Sequence, residues 1–470
     1  VGGTCAYNVE PLADFVDIVI LGEGEEVNLE VLNKYKEWKK NKTTRDDFLK
    51  EIATINGVYI PKFYDVTYNE DGTVKEVKPN TEGVPQNPHK RIITNMDEVP
   101  YPEKLIVPFI DTVHDRIVLE LFRGCTRGCR FCQAGMIYRP IREKSIDRLK
   151  EILEKLVKST GYDEISLSSL STSDYSKLSE LTDYLVEEYA SKNIGISLPS
   201  LRLDNFSMEI AEKIQQVRKS GLTFAPEAGT QRLRDVINKG ITEEDLENAT
   251  RKAFEMGWNS VKLYFMIGLP TETYDDLDGI ADLAYKVIDM YRDVNGGKLK
   301  RSFGVTVSTS TFVPKPFTPF QWHGQDTTET VREKQRHMVK KLKNGNIKYN
   351  YHDSKTSLME AVIARGDRKI GKVIYDAFKN GAKFDGWAEH FKLEIWEEAM
   401  ANNGLDIAFY ANRERSYEEV FPWDHIEVGV TKKFLIRENE KAKQDTITVD
   451  CRHKCSGCGI SAHTIGKGLC

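Results

Sequence analysis

Residues 123–132 read RGCTRGCRFC and place three cysteines, Cys125, Cys129 and Cys132, on one short loop. The preceding run, DRIVLELF (115–122), predicts a strand that leads straight into this loop. Three thiolates can bind three irons of a 4Fe–4S cube, and the fourth iron then stays open to a small molecule. The spacing therefore favours an iron–sulfur site at the end of a strand.

The other residues of the loop fit the same interpretation. Glycines at 124 and 128 let the loop fold tightly, and Phe131 can shield a cluster from water. The arginines at 123, 127 and 130 could offset the anionic charge of thiolate ligands. Zinc is the alternative. It usually takes four ligands in two separated pairs, and no second pair lies nearby in the sequence.

Outward from the loop, predicted strands alternate with helices. The first helix begins after Ser145, and another is expected near 207–219. The alternation favours a parallel sheet with right-handed crossovers, either barrel-like or open and doubly wound. In barrel folds the reactive groups lie at the C-terminal ends of the strands, where this loop lies. The six predicted strands are 115–122, 164–170, 194–201, 222–227, 260–270 and 303–312.

The pattern C-x-x-x-C-x-aromatic-C after a first strand resembles the signature of the radical SAM superfamily, over about residues 115–312. The resemblance implies an α/β fold with a partial (β/α)6 barrel. It also implies an enzyme whose 4Fe–4S cluster cleaves S-adenosylmethionine (SAM) reductively and generates a 5′-deoxyadenosyl radical. The electron would come from a donor such as ferredoxin or flavodoxin. The resemblance implies no particular substrate.

The same resemblance implies SAM contacts at the strand ends. Ser169 and Ser171 stand where the family often has a Gly-Gly-Glu-like turn, so hydroxyls would have to serve near the SAM amino group. Glu227 could accept the ribose hydroxyls, Arg234 could pair with the SAM carboxylate, and Gly268 would permit close approach of adenine. The expected SAM contacts are Ser169, Ser171, Arg202, Glu227, Arg234, Met266 and Gly268.

The first 26 residues, VGGTCAYNVEPLADFVDIVILGEGEE, resemble the last strand–helix–strand piece of a cobalamin-binding-like domain. In many radical SAM enzymes that domain precedes the barrel, so we expect further sequence upstream and cobalamin in the full-length protein. An ordinary αβ fragment is the alternative. Together with TFVPKPFTPFQW (311–322), this piece most resembles the uncharacterised radical SAM proteins with such an N-terminal domain.

The sequence divides into four predicted units. A strand at 16–20 and a hairpin at 57–79, turning at Asp71-Gly72, belong to the first. The alternation stops after 322, and mostly helical segments follow. The units are an N-terminal αβ piece with a connector (1–112), the radical SAM core (113–322), a mostly helical C-terminal region (323–440) and a Cys-rich tail (441–470).

The tail repeats the cysteine spacing in DCRHKCSGCGI, which holds Cys451, Cys455 and Cys458. Cys470 could be a fourth ligand, with histidines 453 and 463 as alternatives. A closed four-ligand site would be structural or an electron relay. A second iron–sulfur cluster and zinc are equally favoured, and a tail without metal is the lesser alternative.

Composition limits the remaining possibilities. No apolar stretch reaches the roughly 18 residues of a membrane helix, and clustered cysteines indicate metal ligands in a cytoplasmic protein. The net charge of −5 argues against broad nucleic-acid binding, and the basic run at 334–348 is interpreted as a solvated helix face. The alternatives are cobalamin-assisted methyl transfer or sulfur insertion on RNA or protein, and a metal-stabilised RNA- or protein-binding module without SAM chemistry.

Overall fold

Two parallel sheets form the centre of the computed structural model, which describes residues 1–110, 112–198, 202 and 222–461. The first sheet joins the strands at 117–120, 164–168 and 195–197 in that order, and the second joins those at 222–227, 260–267, 304–311 and 347–351. The described strands are β1 (Val19–Ile20), β2 (Val58–Tyr59), β3 (Tyr64–Tyr68), β4 (Val74–Pro79), β5 (Ile117–Glu120), β6 (Phe122–Arg123), β7 (Arg142–Glu143), β8 (Glu164–Ser168), β9 (Gly195–Ser197), β10 (Leu222–Glu227), β11 (Ser260–Ile267), β12 (Gly304–Thr311) and β13 (Ile347–Tyr351).

Helices connect and flank these strands. The described helices are α1 (Gly24–Asn41), α2 (Arg45–Ala53), α3 (Ala134–Ile137), α4 (Ile146–Thr160), α5 (Leu178–Tyr189), α6 (Gln231–Val236), α7 (Glu243–Glu255), α8 (Tyr274–Val294), α9 (Thr328–Lys341), α10 (Ser354–Ala364), α11 (Ile370–Lys379), α12 (Leu393–Asn402), α13 (Ile407–Ala411) and α14 (Lys432–Ala442). Within this described part, no helix combines the length and apolar character needed to cross a membrane.

All six predicted core strands are present. Their pairing is parallel, as the alternation predicted; Ile117 lies opposite Ile165 and Val261 opposite Val305. Ser145 caps α4, because its side chain accepts a hydrogen bond from the amide of Arg148. The apolar positions of α4, spaced three and four apart, are buried against the first sheet. The predicted helix at 207–219 and the strand end at 199–201 lie outside the described residues.

The alternation continues past residue 322, contrary to the expectation. After α9, strand β13 pairs in parallel with β12, with Val305 opposite Ile347. β13 lies at an edge of the sheet, and its residues are partly exposed to solvent. This position accounts for the largely polar stretch IKYNY. Its lack of an apolar run hid it in the sequence. The core sheet therefore extends to Tyr351.

The two ends of the chain share one apolar core. The predicted hairpin forms from β3 and β4, and Gly72 in its turn has a φ of 86°. Residues of the N-terminal piece, such as Tyr59, pack in the same cluster as Trp423 and Leu435 near the other end, together with Met136 of α3. The predicted boundaries at 112 and 440 thus do not separate independent cores, and α3 lies against this shared core.

Candidate active site

A two-residue ribbon closes the base of the cysteine loop. β6 pairs antiparallel with β7, so Arg123 lies opposite Arg142. The chain between them forms the loop and α3. Gly124 has a φ of 88°, and a Cβ there would lie 2.5 Å from the carbonyl oxygen of Pro140. Glycine is required at this position because any side chain would collide with the backbone that returns from the loop.

The three thiols of the loop influence one another electrostatically. Burial, and then the charge of Cys129, raises the pKa of Cys125 to about 12. The same two causes raise the pKa of Cys132 to about 11. The amide of Gly135 donates to Sγ of Cys132 at 3.4 Å. Buried thiols that disfavour one another's ionisation need positive charge, from a metal or from the protein, to become thiolates.

Arginines of the loop bind different partners. Arg130 is fully buried, and its guanidinium interacts electrostatically with Cys129. Arg127 binds Asp174, with 2.6 Å between Nη2 and Oδ1. Arg123 pairs with a glutamate of β5 at 2.8 Å. The sequence analysis expected all three arginines to offset the charge of a cluster. The structure pairs all three with carboxylates, Arg130 with Glu438 at 3.3 Å, and favours Arg130 for that role because its charge acts on Cys129.

Ser171 belongs to a chain of hydrogen bonds that starts at the loop. Its Oγ donates to Oδ2 of Asp174 at 2.6 Å, and Asp174 also binds Arg127. Burial opposes ionisation of Asp174, yet hydrogen bonds from Arg127 and Ser171 and the charge of Arg202 hold its pKa below the usual range. The charge of Asp174 in turn raises the pKa of Cys125 further. The sequence analysis missed Asp174, although its place just after β8 was a usable signal.

Glu227 and Lys239 form an ion pair beside Cys132. Nζ of Lys239 lies 3.1 Å from Oε1 of Glu227, and Cys132 experiences both charges. Glu227 ends β10 with a φ of 68°, a conformation that costs a non-glycine residue roughly 1–3 kcal/mol and is concentrated at functional sites. Nη2 of Arg202 donates to the carbonyl oxygen of Lys239 at 2.8 Å. The structure thus brings Ser171, Arg202 and Glu227 together around the loop.

Met266 and Phe131 pack against the same apolar cluster next to the loop. Gly268, two residues on from Met266, has a φ of 80°, and a Cβ there would lie 2.9 Å from Oδ2 of Asp326. Its amide donates to Oε1 of Glu272 at 2.9 Å. The glycine is therefore needed for the turn and for the approach of Asp326. This reason differs from the adenine contact that the sequence suggested.

Arg234 uses its donors within its own turn. Its buried guanidinium donates from Nη1 to the carbonyl oxygens of Ala228 at 3.0 Å and Gly229 at 3.3 Å, and from Nη2 to Gln231 at 3.2 Å. Burial lowers its pKa. These bonds fix the turn between β10 and α6. The geometry therefore does not favour the expected pairing of Arg234 with the SAM carboxylate, which stays a prediction.

A cavity of about 540 Å³ opens between the N-terminal segment and the strand ends. Ser169 lines it, with its Oγ 3.1 Å from Oγ1 of Thr172, whereas Ser171 points its hydroxyl to Asp174. Ser169 therefore faces the cavity, whereas the hydroxyl of Ser171 bonds to Asp174. The lining also includes Gly22, Glu23, Gly24, Glu25, Gly124 and Tyr138.

The second cysteine motif begins beside the first. The amide of Cys451 donates to the carbonyl oxygen of Thr126 at 3.2 Å. Cys451 and Cys455 are exposed and Cys458 is partly buried, whereas Cys470 and His463 lie outside the described residues. Among residues 1–110, 112–198, 202 and 222–461, no three His, Cys, Asp or Glu side chains are arranged to hold a metal ion. The second metal site stays a prediction.

Comparison with known proteins identifies the family. The family model described as the radical SAM superfamily matches residues 119–284, and the model described as radical SAM proteins, N-terminal, matches residues 1–61. An uncharacterised protein of Methanocaldococcus jannaschii is 31% identical over 382 residues, which cover 81% of this chain and 73% of the relative. The chain belongs to the radical SAM superfamily. It is therefore an enzyme whose cofactors are a 4Fe–4S cluster and SAM.

Other similar proteins are more distant. An uncharacterised methyltransferase of Pyrococcus horikoshii is 24% identical over 278 residues, 58% of this chain and 53% of the relative. The solved radical SAM methyltransferase TsrM of Kitasatospora setae, with cobalamin and a 4Fe–4S cluster bound, is 13% identical with a TM-score of 0.45; the match covers 68% of this chain and 58% of TsrM. The chain spans little more than half of these two proteins.

The donor set of the loop fits the cluster that the radical SAM superfamily uses. A cluster spreads its cysteine ligands over separate irons, so the thiols need not converge on one atom. Membership of the radical SAM superfamily, which uses a 4Fe–4S cluster, speaks against the zinc alternative. The partial burial of the three cysteines, next to the fully buried Arg130 and to Phe131, suits an anionic group shielded from water.

Proposed function

We propose that Cys125, Cys129 and Cys132 hold the 4Fe–4S cluster and that the surrounding strand ends bind SAM against its open iron. When bound, the cluster supplies the electron that cleaves SAM into methionine and a 5′-deoxyadenosyl radical. One observation carries the proposal: polar residues from the ends of two strands converge on the thiols. Besides burial, the charge of Asp174, which follows β8, raises the pKa of Cys125. The charge of Glu227, at the end of β10, likewise raises the pKa of Cys132.

The roles of the polar residues follow from their contacts. Glu227 accepts the ribose hydroxyls, and Lys239, 3.1 Å away, orients its carboxylate. Arg202 and Ser171 lie where they can meet the amino-acid end of SAM, and Met266 provides apolar contact on the adenine side. These roles combine the family resemblance with the geometry around the loop.

The reaction also needs an electron donor and a substrate. A one-electron donor such as ferredoxin or flavodoxin reduces the cluster, and the enzyme works in the cytoplasm. No substrate is assigned; RNA and protein are the candidate classes. The family membership speaks against the alternative of a binding module without SAM chemistry.

Anaerobic reconstitution with iron and sulfide tests the proposal. The reconstituted protein should gain a broad visible absorption band, bind about four irons per chain at the loop and change its reduced electron paramagnetic resonance spectrum when SAM is added. Dithionite and SAM should then yield 5′-deoxyadenosine. A protein that takes up iron but shows neither a SAM-dependent spectral change nor 5′-deoxyadenosine would contradict the proposal.

A second candidate is cobalamin-assisted methyl transfer or sulfur insertion. The observation that favours it is the cavity of about 540 Å³, because it is shared by the N-terminal segment and the cysteine loop. Two distant relatives are described as a methyltransferase and a putative methylthiotransferase. Anaerobic titration with hydroxocobalamin should shift its visible spectrum on binding. Binding that is unaffected by filling the cavity, for example with Ser169→Trp, would contradict this candidate.

A further inference from the structure

A segment near the C-terminus lies along the cysteine loop. We call residues 446–452 the strap. The strap and the loop run side by side in opposite chain directions, and every second residue of one lies beside every second residue of the other. Thr446 lies beside Arg130, Thr448 beside Gly128 and Asp450 beside Thr126. This order resembles the pairing of two antiparallel strands, although side chains supply much of the bonding.

Asn238 joins the strap to the middle of the loop. Its Nδ2 donates to the carbonyl oxygens of Gly128 at 3.2 Å and Thr448 at 3.1 Å, and its Oδ1 accepts from the amide of Thr448 at 2.8 Å. Asn238 is buried, with a φ of 52°. A Cβ at position 128 would lie 2.8 Å from this amide nitrogen, so a glycine is needed for the contact.

Charged groups secure the two ends of the contact. Nη2 of Arg130 donates to the carbonyl oxygen of Thr446 at 2.6 Å and lies 3.3 Å from the buried Glu438 of α14. At the other end, Oδ2 of Asp450 accepts from Oγ1 of Thr126 at 2.7 Å and lies 3.1 Å from Nε of Arg127. Two carboxylates therefore fix the two arginines that flank the cysteines.

We propose that the strap is a positioning element of the cluster site: it holds the loop in its ligand-binding shape, and Asp450 and Glu438 set the charge around the thiols. The inference rests on the proposed role of the loop in binding the cluster. The reduction potential of an iron–sulfur cluster depends on nearby charge and on solvent exposure. Removing a nearby negative charge stabilises the more reduced cluster, so the reduction potential should rise.

The variants Asp450→Asn and Glu438→Gln test the charge effect with little change of shape. The control is Glu440→Gln, since Glu440 lies on the same helix as Glu438 but pairs with exposed Lys443. A redox titration followed by electron paramagnetic resonance should show a raised midpoint potential for the two variants and an unchanged midpoint potential for the control. Equal potentials in all four proteins, each with a full iron content, would overturn the role of these carboxylates.

Hydrogen exchange tests the coupling of the strap to the loop without any catalytic readout. The amides of Thr448 and Cys451 bond to Asn238 and Thr126, so the strap should exchange slowly in the cluster-loaded protein. Removing iron with a chelator, or the substitution Asn238→Ala, should increase the hydrogen-exchange rate of the strap amides several-fold. Unchanged exchange in both cases would overturn the inference. Failure of the unaltered protein to bind iron at all would instead refute the proposed function.

Discussion

The carboxylate of Glu227 accepts a hydrogen bond of 3.1 Å from Nζ of Lys239, and Cys132 experiences both charges. This pair links the end of β10 to the segment after α6, which contacts the cysteine loop through Asn238. It therefore offers the most direct way to separate SAM binding from cluster binding.

Glu227→Ala should weaken SAM binding about ten- to a hundredfold, because a hydrogen bond to a charged group contributes about 1.5–3 kcal/mol. The cluster spectrum should stay the same, since Glu227 is not a ligand. Equilibrium binding of SAM to the reconstituted protein measures the effect. Glu244→Ala, in the exposed first turn of α7, is the control. An unchanged SAM affinity would remove Glu227 from the site.

Gly124→Ala should prevent the loop from closing. The φ of 88° alone would cost roughly 1–3 kcal/mol, and the new Cβ would meet the carbonyl oxygen of Pro140 at 2.5 Å. Iron bound per chain after reconstitution should fall sharply. Gly161→Ala is the matched control, because Gly161 has a φ of 70° but no atom within 4 Å of the added Cβ. Equal iron contents in both variants would contradict this account of the loop.

Lys90 should make stability depend on pH. Its Nζ donates to the carbonyl oxygens of Ile137 and Arg139 at 2.7 Å, at the exit of the loop, and burial lowers its pKa to about 7. In the unfolded chain the pKa is about 10.4, so the unfolded state binds an extra proton between these values. The contribution of Lys90 to the free energy of unfolding should therefore rise with pH above about 7, by up to about 1.4 kcal/mol per pH unit, and level off below pH 7. The raised pKa values of Cys125 and Cys132 act in the opposite direction near pH 9, so the contribution of Lys90 is measured as a difference between the unaltered protein and Lys90→Met.

Urea unfolding of the anaerobic protein at pH 7, 8 and 9 measures this dependence. The difference in the free energy of unfolding between the unaltered protein and Lys90→Met should grow from pH 7 to pH 9, whereas the difference for Lys36→Met, at an exposed position of α1, should stay constant. Parallel profiles for all three proteins would mean that Lys90 is not the group responsible.

The tail cysteines should bind metal independently of the loop. Cys455→Ala should lower the total metal content and increase proteolysis of the tail, because metal binding supplies folding free energy to a short polar segment. Metal analysis of the Cys125/Cys129/Cys132 triple alanine variant separates the possibilities. Retained iron would indicate an auxiliary cluster and retained zinc a structural site. Neither metal, after reconstitution with each, would contradict the second site.

Local sequence signals were enough for the framework of the fold. The apolar spacing and Ser145 cap of α4 predicted that helix, and the Asp71-Gly72 turn predicted the hairpin. The cysteine loop was readable because its spacing and its place after a strand are both local. Periodicity failed at β13, where an edge strand carries polar residues such as Lys348 and Asn350.

Partners distant in the chain were not readable. Thr126 and Asp450 are 324 residues apart, and their contact leaves no periodic trace in either segment. Much of the strap's bonding uses backbone carbonyls, which every residue has, so composition cannot reveal it. The same limit hid Lys239 as the partner of Glu227. Nor did the sequence indicate that the donors of Arg234 bond to carbonyls of its own turn.

The assignment of the cluster to the loop is tested most directly by Cys129→Ala, with Cys5→Ala at an exposed site as the control. Both proteins are reconstituted anaerobically, and loop-bound iron and 5′-deoxyadenosine formed from SAM are measured. We predict that the Cys5 variant matches the unaltered protein, whereas the Cys129 variant loses the SAM-responsive cluster signal and forms no 5′-deoxyadenosine. Cleavage of SAM by the Cys129 variant at the unaltered rate would contradict the account.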